Sequence, residues 1–263
     1  MEKHIEVERS IYKKYRKDIW KKFIAGINEY QLIKEGDCIA VCISGGKDST
    51  VLKHIVDSMY SDVPALSVNT GLEYPEIQKF AMSQPNVTTV RPKMMFTDVV
   101  TTYGYPVISK EVAKNVQYAR LGGEENVHYK KLFGTLMYNG EKSAYCSDKY
   151  KYLYDAPFKI SSRCCDVMKK SPVHKYEKES NRKPITAIMA DESRQRETAW
   201  IRNGCNAFNS KRPTSNPMSF WTEQDVLHYI KDNDIPYCSV YGDIRVKVES
   251  EEDKEQVTFA DYL

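Results

Sequence analysis

Six consecutive residues carry the densest chemistry in the chain: Ser44-Gly45-Gly46-Lys47-Asp48-Ser49. Two glycines let the backbone turn sharply and present successive N–H groups. Ser44 and Ser49 add hydroxyls, and Lys47 adds a positive charge. A helix beginning just beyond them adds the positive end of its dipole. Together these groups form a cradle for an anion. The spacing differs from GxxxxGK[ST], which places four residues between its glycines. Lys47 is therefore the candidate phosphate contact. Asp48 is the candidate Mg²⁺ ligand or loop organiser, because a carboxylate with phosphate oxygens commonly holds that ion. Simple helix N-terminal capping is the plainer role for Asp48.

Other residues invite the same question. Arg194 and Arg196 suit bidentate contact with an anion, or they line a solvated helix face paired with Glu192 and Glu197. Lys110 is a further anion candidate. Asn69-Thr70-Gly71 closes an apolar run and reads as a turn. The seven cysteines are an odd number. In a reducing compartment they serve more often as metal ligands or catalytic groups than as disulfides. Cys38 and Cys42 lie in an apolar stretch and are expected to be small buried hydrophobes. Cys164 and Cys165 are adjacent and flanked by polar residues. With Cys205 and either Cys146 or Cys238 they could ligate an iron–sulfur cluster or zinc. They could equally be redox-active, or simply pack. The five histidines have no metal-ligand spacing. The basic stretch Lys169 to Lys183, with Arg182, is either a nucleic-acid contact or a solvated surface.

These residues need a scaffold, and the chain supplies one. It has 263 residues, 41% hydrophobic and 29% charged, with 39 basic against 36 acidic residues for a net charge of +3. This is the composition of a globular protein with a sizeable core, neither fibrous nor disordered. Its apolar runs are too short to span a membrane. The charged start, Met1 to Ser10, shows no secretory signal, so a cytoplasmic location is expected. Residues 11 to 30 carry a helical stripe (Tyr12, Tyr15, Ile19, Phe23, Ile27, Tyr30) with a basic opposite face. Cys38 to Ile43 reads as a buried strand, Val51 to Tyr60 as a helix and Ala65 to Val68 as a second strand. Pro75 opens a helix, and Val87 to Val90 is a third strand. This alternation predicts an α/β fold with a mostly parallel sheet flanked by helices. Residues 120 to 155 have little periodicity and read as an irregular surface excursion. Ile185 to Met189 is expected to be a fourth strand. Thr222 to Lys231 is expected to be a helix with Thr222 as N-cap and Asp225 at its third position. Arg245 to Leu263 holds six acids against three bases and reads as a tail or edge element. The expected division is a helical segment over 1–35, a nucleotide-binding domain over 36–242 and an acidic tail over 243–263.

Ser44 to Ser49 resembles the SGGxDS pyrophosphate loop of the ATP pyrophosphatase superfamily, also called adenine nucleotide α-hydrolase-like. From Val51 to about Gly242 the chain resembles the phosphoadenosine phosphosulfate (PAPS) reductase family. The matching pieces are NTGLEYPE from Asn69, YPVISKE from Tyr105, CCDVMKKSPV from Cys164, MADESRQRE from Met189 and NPMSFWTEQDVLHYI from Asn216. Separately, Ile27 to Ser49 resembles the start of tRNA 2-thiocytidine synthetases. The resemblance implies a Rossmann-like sheet and ATP or a related adenine nucleotide with Mg²⁺. It implies that Ser44, Gly45, Gly46, Lys47, Asp48, Ser49, Asn69, Thr70, Gly71 and Lys110 bind that nucleotide. It places Arg194 and Arg196 in a segment that contacts phosphate or sulfate.

The implied chemistry divides. Pyrophosphatases let a substrate oxygen attack the α-phosphorus, and sulfur can then displace the adenylated oxygen. Sulfonucleotide reductases use a cysteine to attack sulfate sulfur. The intact SGGKDS of this chain favours ATP. The expected activity is adenylation of an acceptor, such as tRNA or another nucleic acid, coupled to transfer from a sulfur donor. The alternatives are thiol-dependent reduction of a sulfonucleotide to sulfite, and nucleotide binding without catalysis. The chain departs from the family in having Asn69 where Asp is usual. It also lacks any Cys-x-x-Cys.

Overall fold

A computed structural model describes residues 38–208, 210–247 and 256–259. The helix expected over 11–30 and much of the acidic end lie outside the described residues. Along the chain the elements are β1 (Ile39–Ile43), α1 (Lys47–Met59), β2 (Ala65–Val68), α2 (Pro75–Ser83), β3 (Val87–Val90), α3 (Phe96–Tyr103), α4 (Lys110–Gly122), α5 (Val127–Phe133), β4 (Met137–Tyr138) and β5 (Glu141–Lys142). They continue with α6 (Ser171–Ser180), β6 (Lys183–Ile185), α7 (Arg194–Asn203), α8 (Glu223–Asp232), β7 (Ile244–Lys247) and β8 (Gln256–Phe259). Residues divide into two compact units, one of them formed by Thr70–Leu72 with Arg91–His174 and the other by the rest.

The first unit is built on a four-stranded sheet in the order β3-β2-β1-β6, every pair parallel. β1 and β2 are central and read as continuous apolar runs because both faces are covered. Val41 is fully buried, and Val51, Leu52, Ile55 and Val56 of α1 pack with it. Met218, Trp221, Val226, Tyr229 and Ile230 complete the core. Pro75 occupies the first turn of α2, where a missing N–H costs nothing. α8 begins at the expected capping box: Thr222 accepts from the Asp225 backbone N–H, and Asp225 accepts from the Thr222 N–H at 2.8 Å.

Three expectations need correction in these elements. Cys38 is exposed, because it precedes the strand and only its carbonyl is used, accepting from Lys183 N–H at 2.8 Å. Cys42 is only partly buried. The fourth strand is Lys183–Ile185, not Ile185 to Met189. Beyond Ile185 the backbone bonds to another partner: Thr186 N–H donates to Ser215 O, and Ala190 N–H donates to Ser219 O. Chain that is satisfied from a loop has no need of a ladder. At the other end, β7 and β8 form a separate two-stranded antiparallel pair within the stretch expected to be a tail or edge element.

The second unit overturns the reading of residues 120 to 155 as an irregular excursion. Within that stretch lie α5, the β4-β5 hairpin and a 3₁₀ helix, Asp148–Asp155. With α4 they enclose a core of Val112, Ala113, Val116, Ala119, Leu132, Leu153 and Ile160. Tyr129 stacks on Phe133 at 4.2 Å, and Tyr154 meets both edge-on. Arg120 ties the layer together by donating to the carbonyls of Leu153, Tyr154, Ala156 and Phe158 at 2.7–2.9 Å. Tyrosines here supply core, which a count of aliphatic periodicity misses.

Candidate functional site

The loop Ser44–Gly46 leaves β1 at its carboxyl end and turns into α1, the place where open α/β sheets bind ligands. Its shape is set by three demands. Gly45 sits at φ +80°, and a Cβ there would lie 2.8 Å from Ile77 Cγ2 and 2.9 Å from Ile77 O. Only glycine allows that conformation and that approach to α2. Ser44 N–H donates to Ser49 Oγ at 3.1 Å, and Ser49 Oγ donates to Gly46 O at 3.0 Å. Thr50 Oγ1 closes the same carbonyl at 2.9 Å. The two serines thus hold the turn while Gly46 serves as N-cap without any side-chain cap, so the helix N-terminus is left to other acceptors.

Lys47 is the charged centre. Its Nζ lies 2.8 Å from Asp48 Oδ1 and 3.3 Å from Glu223 Oε1, and the side chain is only 13% exposed. Burial disfavours its ammonium, yet the hydrogen bonds and charges of Asp48 and Glu223 outweigh burial and raise its pKa above the ordinary lysine value. Lys47 is therefore cationic throughout the physiological range. Glu223 was not legible as a site residue: it opens α8, far away in sequence. Tyr241 was also missed. Its hydroxyl lies 3.2 Å from where a Gly46 Cβ would stand, at the start of α1. Burial pushes this phenol upward in pKa, and the Lys47 amide works against that push.

Beside the loop runs a narrow crevice lined by Ser44, Val68, Asn69, Ile77 and Thr89, on the β2 side of the sheet. Asn69 is fixed there: its N–H donates to Val90 O at 2.9 Å, and its Nδ2 donates to Gln78 Oε1 at 3.3 Å. Asp48 offers a carboxylate at the mouth of the loop, 27% exposed, with Oδ1 on Lys47. One carboxylate plus phosphate oxygens is a donor set that suits Mg²⁺. Arg194 and Arg196 share the first unit with the loop. Arg196 pairs with Glu192 one turn away, and Arg194 is exposed in the first turn of α7.

Thr70, Gly71, Lys110, Cys164 and Cys165 belong to the second unit. Gly71 takes φ +78° with open space around its Cβ position. Thr70 Oγ1 accepts from Leu72 N–H at 3.3 Å. Cys164 and Cys165 begin a helical run that passes through a π turn, Asp166–Lys170. Their sulfurs are 4.0 Å apart. Burial raises the Cys164 pKa, its neighbour thiol adds to that, and the charge of Lys110 only partly opposes it. Such a thiol is a weak nucleophile at neutral pH. All seven cysteines are free thiols. Among the described residues no three His, Cys, Asp or Glu side chains come together to hold a metal. Two adjacent thiols fall short of the four donors a cluster takes, so no step below runs through one.

Comparison with known proteins bears on this geometry. Residues 38–104 and 125–244, more than half of the chain, match the model of the phosphoadenosine phosphosulfate reductase domain. A tRNA-cytidine(32) 2-sulfurtransferase of Syntrophotalea carbinolica is 40% identical over 73 residues, 26% of this chain and 27% of that protein. One from Geotalea uraniireducens is 43% identical over 53 residues, 19% of this chain and 21% of its own length. The chain thus spans about a quarter of the curated relatives it matches. The Candida auris phosphoadenylyl-sulfate reductase, solved as a phosphate complex, aligns with TM-score 0.44 and 15% identity, covering 89% of this chain and 88% of that one. The U34-tRNA thiolase NcsA of Methanococcus maripaludis, solved with its [4Fe-4S] cluster, aligns with TM-score 0.41 and 15% identity, covering 82% and 62%.

Proposed function

The chain belongs to the phosphoadenosine phosphosulfate reductase domain family, and on that footing we propose that it cleaves ATP between its α- and β-phosphates to activate an RNA base for sulfur transfer. The observation that carries this reading is the complete Ser44–Ser49 loop at the carboxyl end of β1, with a cationic Lys47 at its centre. An intact cradle of this kind suits the leaving pyrophosphate of ATP. The partial matches to tRNA-cytidine sulfurtransferases support an RNA base as the acceptor.

In this reading the acceptor's carbonyl oxygen attacks the α-phosphorus and pyrophosphate leaves. Sulfur from a donor then bonds to the base carbon, and the C–O bond breaks as AMP departs. Lys47 and the N-terminal amides of α1 hold the β- and γ-phosphates and stabilise the charge that develops on the leaving pyrophosphate. Ser44 and Ser49 keep the turn rigid, so these donors need no reorganisation. Asp48 would hold Mg²⁺, which neutralises phosphate charge when bound. Asn69, Thr70 and Gly71, consecutive after β2, are assigned in this reading to the ribose or base of the nucleotide. Arg194 and Arg196 contribute positive charge toward phosphate oxygens.

The experiment is a pyrophosphate and AMP assay with MgATP, with and without unmodified tRNA and a sulfide donor. Stoichiometric pyrophosphate, AMP and thiolated RNA support the proposal. Sulfite released from PAPS with a thiol reductant, and no pyrophosphate from ATP, establishes reduction instead. Tight ATP binding with neither product establishes a non-catalytic binding protein.

A further inference from the structure

A second depression lies on the other flank of the loop, and of its lining only Arg194 has a part in the proposed reaction. It is an open cleft of about 430 Å³, lined by Asp191, Arg194, Glu197, Trp200, Phe220 and Thr222 among others. That volume falls within the range of small-ligand sites. Its position follows from topology. β6 neighbours β1 in the sheet, and the chain leaving β6 at its carboxyl end runs on to Asp191 and α7. Thr222 lines the cleft, and the next residue, Glu223, reaches Lys47 Nζ at 3.3 Å. The cleft therefore opens beside the lysine of the loop, opposite the crevice over β2.

Its lining says what it takes. The charged lining is two carboxylates, Asp191 and Glu197, with one guanidinium, Arg194, so it is net negative. Trp200 is 37% exposed, a large aromatic surface in a polar surrounding. An exposed indole is a stacking platform for a base pulled out of an RNA strand. Carboxylates beside such a platform accept from an exocyclic amine, as they do from cytosine N4. Resting on the RNA-acceptor reading, we propose that this cleft receives the acceptor's unstacked cytosine, stacked on Trp200 and hydrogen-bonded through its amine to Asp191 or Glu197.

The test uses the full chain, MgATP and a labelled RNA hairpin with one unpaired cytidine in its loop. A second hairpin is abasic at that position. Wild type is expected to bind the cytidine hairpin about 5- to 150-fold more tightly than the abasic one, the range for stacking one base on an aromatic side chain. Trp200→Ala is expected to bind both hairpins alike, at the affinity wild type has for the abasic hairpin. Trp200→Phe, which retains a stacking face, is expected to restore the preference. Equal weakening of both hairpins by Trp200→Ala would make the residue structural and overturn the proposal. So would a cytidine preference that survives the alanine. A loss of MgATP affinity with the RNA preference intact would assign the cleft to the nucleotide's own adenine and overturn it as well. If wild type binds MgATP but neither hairpin, the RNA-acceptor reading falls together with the cleft assignment. If it binds RNA without dependence on Trp200, only the cleft assignment falls.

Discussion

Replacing Lys47 with alanine separates a loop that grips phosphate from a loop that merely turns. A charge-assisted hydrogen bond to a phosphate contributes about 1.5–3 kcal/mol. Lys47 is not idle in the free protein, however: Nζ already holds Asp48 at 2.8 Å and Glu223 at 3.3 Å. A bound phosphate keeps Asp48 within reach but takes the place of Glu223. That exchanged pair is 62% exposed on the glutamate side, so losing it costs about 0.5 kcal/mol. The net contribution to nucleotide binding is then about 1–2.5 kcal/mol, or about 5- to 70-fold in Kd. Folding is expected to change by less than about 1 kcal/mol, since both carboxylate partners can be solvated. Isothermal titration with MgATP, paired with a urea melt of each protein, reads both numbers. The pH dependence has a definite sign. The Lys47 pKa is raised above the ordinary 10.5, so its contribution is complete below that value and lost only as pH rises through the higher folded value. Titration of Lys47 therefore leaves the affinity of wild type flat between pH 7 and pH 9. A variant that binds MgATP within twofold of wild type would refute the assignment of Lys47 to phosphate.

Three further outcomes follow from the same geometry. Gly45 and Gly71 share nearly the same φ, +80° and +78°, but only Gly45 has Ile77 within 3 Å of its Cβ position; Gly45→Ala should cost at least about 2 kcal/mol in a denaturant melt and Gly71→Ala about 1 kcal/mol, and equal costs would show that Ile77 does not constrain the loop. Thr222→Ala removes one half of the capping box of α8 and should lower stability by about 1 kcal/mol and Tm by about 2–4 °C, whereas Thr222→Ser should not; an unchanged Tm in the alanine variant would contradict the cap. Burial pushes the Cys42 thiol up to about 11, so at pH 8 about one molecule in a thousand carries its thiolate, while Cys38 is exposed; iodoacetamide with mass mapping should label Cys38 and spare Cys42, and equal labelling would show that β1 opens.

The half of the fold around the loop was legible because its signals are local. β1, β2 and β3 are short apolar or β-branched runs, and Pro75 and Thr222 mark helix starts by chemistry that acts within one turn. Residues 120 to 155 hid their order for a physical reason. Their core rests on stacked tyrosines and on one arginine that satisfies four carbonyls, and both are amphipathic groups that a hydrophobic pattern counts as surface. The fourth strand slipped because the apolar run Ile185 to Met189 is apolar on account of the core it crosses, while its hydrogen bonds go to residues 215 and 219. Cys38 misled through proximity: a residue at the start of an apolar run is not yet inside the sheet. Pattern reports which residues avoid water, and only pairing decides which of them form a ladder.

The site divides along the same line. The strand-to-helix turn at Ser44–Ser49 was readable because its signals are local, whereas the serine hydroxyls, expected to serve an anion, bond within the turn itself. What completes the cradle was not readable, because Glu223 and Tyr241 arrive from the end of the described chain. Their presence changes what the loop selects. With Asp48 and Glu223 beside its ammonium, Lys47 already has two carboxylate partners. A singly charged anion gains little by displacing a carboxylate of equal charge at a comparable distance. A triphosphate brings several charges at once and offers acceptors to the helix amides as well, so the exchange becomes favourable. Glu223, 62% exposed, can then turn out to solvent at small cost. Under the proposed function, discrimination for a polyphosphate over a lone anion would lie in the carboxylates that already hold Lys47, not in the glycines that make the turn.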